Sequence, residues 1–171
     1  MVIVLMGVSG CGKTTVGQLL ADRLGWPFYD GDDYHPAANI AKMAAGKPLD
    51  DENRRGWLET LAGLIEKTEK ASQNAVMACS ALKQNYRDRL ARKTPQTVHF
   101  VYLKGSYEQI LDRMQQRGGH FMKPDMLRSQ FDILEEPSGI LALPITLPLN
   151  KMVDQIIDEW VKPHPGRESL D

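Results

Sequence analysis

Gly7-Val8-Ser9-Gly10-Cys11-Gly12-Lys13-Thr14 satisfies the pattern G-x-x-x-x-G-K-[ST] in full, with Thr15 directly behind it. The glycines let successive backbone N–H groups turn inward around phosphate oxygens. A helix starting near Lys13 aims its positive end at the same anion. Lys13 suits the β- and γ-phosphates of a nucleotide, and the Thr14 hydroxyl suits Mg²⁺. The flanks fit as well, because the apolar run Val2–Met6 reads as a strand leading straight in and Lys13–Leu24 as a helix leading straight out. Gly7, Val8, Ser9, Gly10, Cys11, Gly12, Lys13, Thr14 and Thr15 are therefore the expected nucleotide contacts, with ATP and Mg²⁺ as the implied cofactors.

Outward from this loop, short apolar runs alternate with amphipathic stretches, the pattern of βαβ units and a parallel sheet. Further strands are expected at Pro27–Tyr29, Ala75–Cys79, Val98–Leu103 and Leu143–Leu147, the last interrupted by Pro144 and Pro148. Helices are expected at Asp51–Ser72, Tyr107–Gln116 and Asn150–Trp160. Their apolar stripes, such as Trp57, Leu58, Leu61, Leu64 and Ile65, read as core. The 171 residues suit one domain, with a frayed tail from about residue 162.

A formal net charge of -1 gives no basic surplus to attract nucleic acid or an anionic membrane, so a small anionic ligand needs a local basic site. The first apolar run is too short for a signal peptide or a membrane span. Two cysteines, Cys11 and Cys79, make no disulfide framework, and a reducing cytoplasm is expected. If the third strand lies beside the first, the two thiols approach each other, and Cys11 becomes a candidate for oxidant inactivation against which ATP protects.

After the second strand comes Tyr29-Asp30-Gly31-Asp32-Asp33-Tyr34-His35-Pro36. In a parallel α/β sheet this turn shares the carboxyl edge with the phosphate loop. Asp30 and Asp32 flank one glycine, so both can project into the cleft. One carboxylate suits Mg²⁺ through water, and the other suits the proton of an attacking hydroxyl. Asp33 reads as a cap for the next helix.

The phosphate loop followed by this Asp-x-Asp turn resembles the shikimate kinase and gluconate kinase group of small P-loop kinases. His35-Pro36, Asn39 and Lys42-Met43 match the gluconate kinase run H-P-x-x-N-x-x-K-M. The likeness continues through Gly46, Pro48-Leu49, Asp51, Arg54 and Trp57-Leu58. It resumes in Cys79-Ser80-Ala81-Leu82-Lys83, Tyr86-Arg87-Asp88, Gly119-His120-Phe121-Met122 and Ser129-Gln130-Phe131. It spans residues 3 to 137, and two departures stand in it. Asn53 replaces an expected acidic residue, and Gly56 replaces a proline before the Trp; both are expected to loosen the start of that helix.

The resemblance implies a three-layer αβα fold, a five-stranded parallel sheet in the order 2-3-1-4-5 and a mobile lid at about residues 117–125. It implies ATP-dependent phosphorylation of D-gluconate to 6-phospho-D-gluconate, and a homodimer for which the sequence holds no interface signal. It places Asp30 nearer the metal and Asp32 against the acceptor hydroxyl. Catalysis then falls to Lys13, Asp32 and the lid residue Arg117, and Arg113 flanks the adenine. Gluconate is an anionic polyol, and His35, Lys42, Arg54, Lys83, Arg87 and His120 supply cationic and polar groups for it from separate segments. Arg54 has the planar fork that grips a carboxylate through two parallel hydrogen bonds. Gly118-Gly119 reads as a hinge, and equally as a helix C-cap.

Two rival readings stand beside this one. A shikimate kinase shares the loop and the acidic turn but not the His-Pro run. A guanine-nucleotide switch needs Asn-Lys-x-Asp, and Asn150-Lys151-Met152-Val153 has Val where the Asp belongs.

Overall fold

The computed structural model describes residues 1–116 and 124–161. The chain runs β1 (Val2–Met6), α1 (Lys13–Leu24), β2 (Phe28–Asp30), a 3-10 turn (Gly31–Tyr34), α2 (Ala37–Ala44), α3 (Asp51–Lys70) and β3 (Ala75–Ala78). It continues with α4 (Gln84–Ala91), β4 (Val98–Lys104), α5 (Tyr107–Gln116), α6 (Pro124–Asp132), β5 (Leu141–Pro144) and α7 (Leu149–Trp160). The strands form one sheet in the order β2-β3-β1-β4-β5, parallel at every pairing.

Strand β1 sits in the middle of the sheet and is buried along its whole length. Its side chains alternate between two cores, as the two-residue period of a strand requires. Ile3 and Leu5 face one core with Val16 and Leu20 of α1, Ile110 of α5 and Val153 and Ile156 of α7. Val2, Val4 and Met6 face the other with Trp57, Leu58, Leu61 and Ile65 of α3 and Tyr86 and Leu90 of α4. The three layers follow from this two-sided burial.

The expected order and parallel sense hold, and the differences are local. The last strand is Leu141–Pro144, not Leu143–Leu147. It is an edge strand whose Pro144 is paired with Lys104 at its very end, where proline is tolerated, while Pro148 is the N-cap of α7. Helices α4 and α6 lie outside the expected set, and α2 is the helix expected after Asp33, there without bounds. Asn53 does not loosen the start of α3: Asp50 Oδ1 accepts from the Asn53 N–H at 2.8 Å, and Asn53 Oδ1 accepts from the Asp50 N–H at 3.2 Å. Asn53 thus completes a reciprocal capping box in place of an acidic residue. Asp33 caps nothing, because Asp30 caps the 3-10 turn and Pro36 stands at the N-cap of α2. Residues 150–153 lie within α7, with Met152 and Val153 in the core, so they do not form a base-reading loop.

Candidate active site

The phosphate loop joins β1 to α1 at the carboxyl edge of the sheet. Gly7, Gly10 and Gly12 have φ of 139°, 81° and 104°, values that favour glycine. At Gly7 a side chain would also fail sterically, since a Cβ would lie 2.9 Å from both Cys11 Sγ and the Leu103 carbonyl oxygen. The Gly7 N–H donates to the Ser80 carbonyl at 3.1 Å, tying the loop to the end of β3. Lys13 Nζ lies across the loop and donates to the Gly7 and Val8 carbonyls, each at 3.1 Å. An ammonium has three protons, so one more remains for an anion. The first-turn N–H groups of α1 have no partner within the helix and point the same way.

The acidic turn meets this loop from β2. Thr14 Oγ1 donates to Asp30 Oδ2 at 2.7 Å, a contact that reaches over β3, which lies between β1 and β2. The other Asp30 oxygen accepts from the Asp32 N–H at 3.1 Å and so caps the 3-10 turn. Gly31, between the two aspartates, admits no side chain: a Cβ there would lie 2.6 Å from the Ala78 carbonyl oxygen. Trp57 Nε1 donates to the Gly31 carbonyl at 2.7 Å. The turn is therefore pressed onto β3 and pinned from α3, and it leaves the Asp32 side chain 74% exposed.

His35 is buried behind this turn. Its ring stacks on Trp57 with centroids 4.2 Å apart and planes 17° from parallel. Its Nε2 lies 4.0 Å from Asp32 Oδ1. Asn39 Nδ2 donates to the Asn53 carbonyl at 2.8 Å, which fixes the orientation of that amide, and the same nitrogen faces His35 Nδ1 at 3.4 Å. His35 Nδ1 is then the acceptor, and the ring proton sits on Nε2, toward Asp32. Burial holds the His35 pKa below its ordinary value; the Asp32 carboxylate opposes this and Arg54 reinforces it.

The expected acceptor-side cations converge on the start of α3, and each has protein partners. Lys42 Nζ donates to Asp50 Oδ2 at 3.0 Å and to Asn53 Oδ1 at 2.5 Å, bracing the capping box. Arg54 is buried, donates to the Leu49 carbonyl, and places its guanidinium 5.7 Å from the centre of the Tyr86 ring. Lys83 Nζ donates to both oxygens of Asp51, at 2.7 and 2.9 Å, and Tyr86 Oη donates to the same carboxylate. Those bonds hold the Asp51 carboxyl below its ordinary range, and the bond to Asp51 is the main cause raising the Lys83 ammonium. Asp51 stands within the run matched to the gluconate kinases, yet its partners depend on the fold and not on local sequence.

Arg87 differs from these. It is buried, and its two terminal nitrogens donate to the Ala81, Leu82 and Glu135 carbonyls and to Gln84 Oε1. It clamps the chain after β3 to the chain after α6. Arg113 donates to the Ile145 carbonyl, just beyond β5. Arg117, His120 and the hinge glycines lie outside the described residues.

Gln130 of α6 lies in the matched run Ser129-Gln130-Phe131, where sequence alone assigns it no function. Its Oε1 accepts from the Ser9 N–H at 2.7 Å, and its Nε2 donates to Ser9 Oγ at 3.1 Å. The cysteines stand apart: Cys11 belongs to one core and Cys79 to the other, on opposite faces of the sheet, and both are about 1% exposed. Burial pushes the Cys79 thiol up to about 12. The two thiols therefore sit in separate cores, not side by side as strand order alone suggests.

Among the described residues no cluster of three or more His, Cys, Asp or Glu side chains could hold a metal by itself. Thr14 and Asp30 offer hard oxygens side by side, which suits Mg²⁺, an ion that takes one or two protein ligands and completes its shell with phosphates and water. No helix among the described residues is long and apolar enough to cross a membrane.

Comparison with known proteins adds to this geometry. The shikimate kinase family model matches residues 9–136. A probable gluconokinase of Mus musculus is 49% identical over 154 residues, covering 81% of this chain and 84% of that protein. The thermosensitive gluconokinase of Escherichia coli K12 is 51% identical over 136 residues, covering 80% of this chain and 72% of that protein. The crystal structure of a gluconokinase from Sinorhizobium meliloti 1021 superposes with a TM-score of 0.82 at 40% identity, covering 91% of this chain and 89% of that one. Shikimate kinase from Aquifex aeolicus shares the fold, with a TM-score of 0.58 at 20% identity.

Proposed function

The chain belongs to the gluconokinase family, within the wider shikimate kinase family, and from that premise we propose how its residues divide the work of phosphorylating gluconate. The reaction moves the terminal phosphoryl group of ATP to a hydroxyl of D-gluconate, giving 6-phospho-D-gluconate. The observation that carries our assignment is the Thr14–Asp30 contact, which brings the acidic turn to the mouth of the phosphate loop.

In this reading the loop from Gly7 to Thr15 cradles the phosphates, and the free proton of Lys13 Nζ meets the transferring group. Thr14, and Asp30 through water, would hold Mg²⁺, which would neutralise charge on the phosphates. Asp32, exposed beside them, accepts a hydrogen bond from the acceptor hydroxyl. A loose transition state places little charge on that hydroxyl, so Asp32 orients the oxygen for in-line attack and takes its proton late. His35 presents its Nε2–H to the same region and stays neutral at neutral pH. Arg54, Lys42 and Lys83 give the acceptor side its positive field, with Arg54 as the grip for the carboxylate. Arg87 acts by holding the strand-end segment in place. We also assign Arg113 to the adenine side, and Arg117 and His120 to the transferring phosphoryl group and the acceptor, on the resemblance alone. The lid and the homodimer rest on the same ground, and a cytoplasmic location rests on the two cysteines, which make no disulfide framework.

The test is a coupled ADP-release assay with a panel of small hydroxy acids at fixed Mg-ATP. Turnover confined to gluconate and near relatives is expected. Preference for shikimate, or nucleotide hydrolysis indifferent to any acceptor, would overturn the assignment. Sedimentation at several protein concentrations tests the dimer.

A further inference from the structure

Gln130 and Ser9 are 121 residues apart in sequence and share two hydrogen bonds in a partly buried setting. The chemistry of these bonds leaves one arrangement. A backbone N–H only donates, so the atom that accepts from the Ser9 N–H is the carboxamide oxygen of Gln130. The other end of that amide is then NH₂, and it faces Ser9 Oγ. An NH₂ only donates, so the Ser9 hydroxyl is the acceptor in that contact. A hydroxyl has one proton and two lone pairs; with a lone pair engaged by Gln130, its proton points away from Gln130. Ser9 is partly exposed and stands between Gly7 and Gly10 of the cradle, two positions held at positive φ.

We propose that Gln130 is a positioning residue that makes the Ser9 hydroxyl an obligate donor to a phosphate oxygen of the bound nucleotide. The same side chain occupies the Ser9 N–H, so at this residue the anion is met by the side chain and not by the backbone amide. Helix α6 thereby takes part in nucleotide recognition without touching the nucleotide. This rests on the reading of residues 7–15 as a nucleotide cradle but not on gluconate as the acceptor.

The experiment is a double-mutant cycle on ATP affinity, measured by calorimetry with Mg-ATP in the absence of any acceptor, for Ser9→Ala, Gln130→Ala and the pair. Each single variant is expected to weaken ATP by about tenfold, the loss of one hydrogen bond to a charged group. The Gln130→Ala effect is expected to vanish in the Ser9→Ala background, because no hydroxyl is left to orient. A purely structural Gln130 gives the opposite result: its bond to the Ser9 N–H survives Ser9→Ala, so Gln130→Ala would then add its full effect. That outcome, or unchanged ATP affinity in Ser9→Ala, overturns the proposal. If Gln130→Ala does not fold, Gln130→Met keeps the volume and completes the cycle. Steady-state kinetics adds a second check: KM for ATP is expected to rise while KM for gluconate stays put, and equal rises in both would overturn the proposal. ATP binding without gluconate turnover in the parent protein would overturn the acceptor assignment and leave the cycle interpretable.

Discussion

The proposed phosphate side and the proposed acceptor side of this site are built on different plans. The phosphate side is mostly backbone, contiguous from Gly7 to Thr14, with one side chain from each of two other elements, Asp30 and Gln130, locking it in place. The acceptor side is made of side chains from α2, the start of α3 and the chain after β3, and its cations already hold protein oxygens. A backbone cradle depends on glycines and helix geometry and tolerates little change. A side-chain network shares its charges among several bonds, so each member acts with the others. Losses on the phosphate side should therefore be steep and specific to one residue, and losses on the acceptor side graded and spread across neighbours.

The sharpest contrast is expected from Lys13→Ala. It removes the ammonium proposed to meet the transferring group while most backbone contacts stay, so turnover should fall by about a thousandfold with an unchanged circular dichroism spectrum. Near-normal turnover in the folded variant would erase the distinction between the two sides.

Next come the two carboxylates at the seam. Asp32→Asn should lower kcat by about a hundredfold and leave Mg-ATP affinity nearly unchanged. Asp30→Asn should raise the Mg²⁺ requirement, with partial rescue by excess Mg²⁺. A magnesium titration of both variants at saturating gluconate reads this directly, and rescue of Asp32→Asn alone would mean the roles are reversed.

On the acceptor side, Arg54→Lys keeps the charge but loses the fork, and KM for gluconate should rise by about tenfold with KM for ATP little changed. Equal effects on both would move Arg54 from the acceptor to the phosphates or to the scaffold.

His35 gives a smaller, pH-dependent effect. Its pKa is lower in the fold than in the unfolded chain, so below pH 6.5 the unfolded chain takes up a proton that the folded one refuses. Its contribution to stability is complete above that pH and is lost as pH falls toward the folded value. The denaturant midpoint should drop on acidification through this window, and the drop should shrink in His35→Gln. An identical pH profile in that variant would assign the loss to other groups.

The smallest effect concerns Gly56. It lies exposed inside α3, and a Cβ there would meet nothing within 4 Å. Gly56→Ala should raise stability by about 0.5–1 kcal/mol without altering either KM. A change in KM for gluconate would show that the acceptor network reads the flexibility of this helix.

The same division of plans decides what the sequence makes legible. β1 and α1 are readable to the residue, because a buried apolar run and a Gly-Lys pair mark both ends. Asp30 and Asp32 follow from the placement of one strand end. Helices α2 and α4 have only eight residues each and α6 nine, too short for an apolar stripe to repeat, and α4 is mostly polar. Partnerships are harder still. Nothing local tells that Asn53 closes a capping box, that Arg87 spends its terminal donors on carbonyls, or that Asp51 binds Lys83 and Tyr86, since each depends on which segments the fold brings together. Gln130 carried one faint sign, a polar residue between Ser129 and Phe131 on a helix whose Met126 and Leu127 are buried.

The alternation along β1 bears on what kinds of change the gene can survive. Val2, Val4 and Met6 serve one core and Ile3 and Leu5 the other, and Gly7 begins the turn immediately after. Exchange of one aliphatic side chain for another disturbs a single core locally. Insertion or deletion of one residue within the strand would instead send every following side chain to the opposite face and carry the loop out of register with Ser80. The strand therefore works as a ruler: its spelling is negotiable, and its length is not.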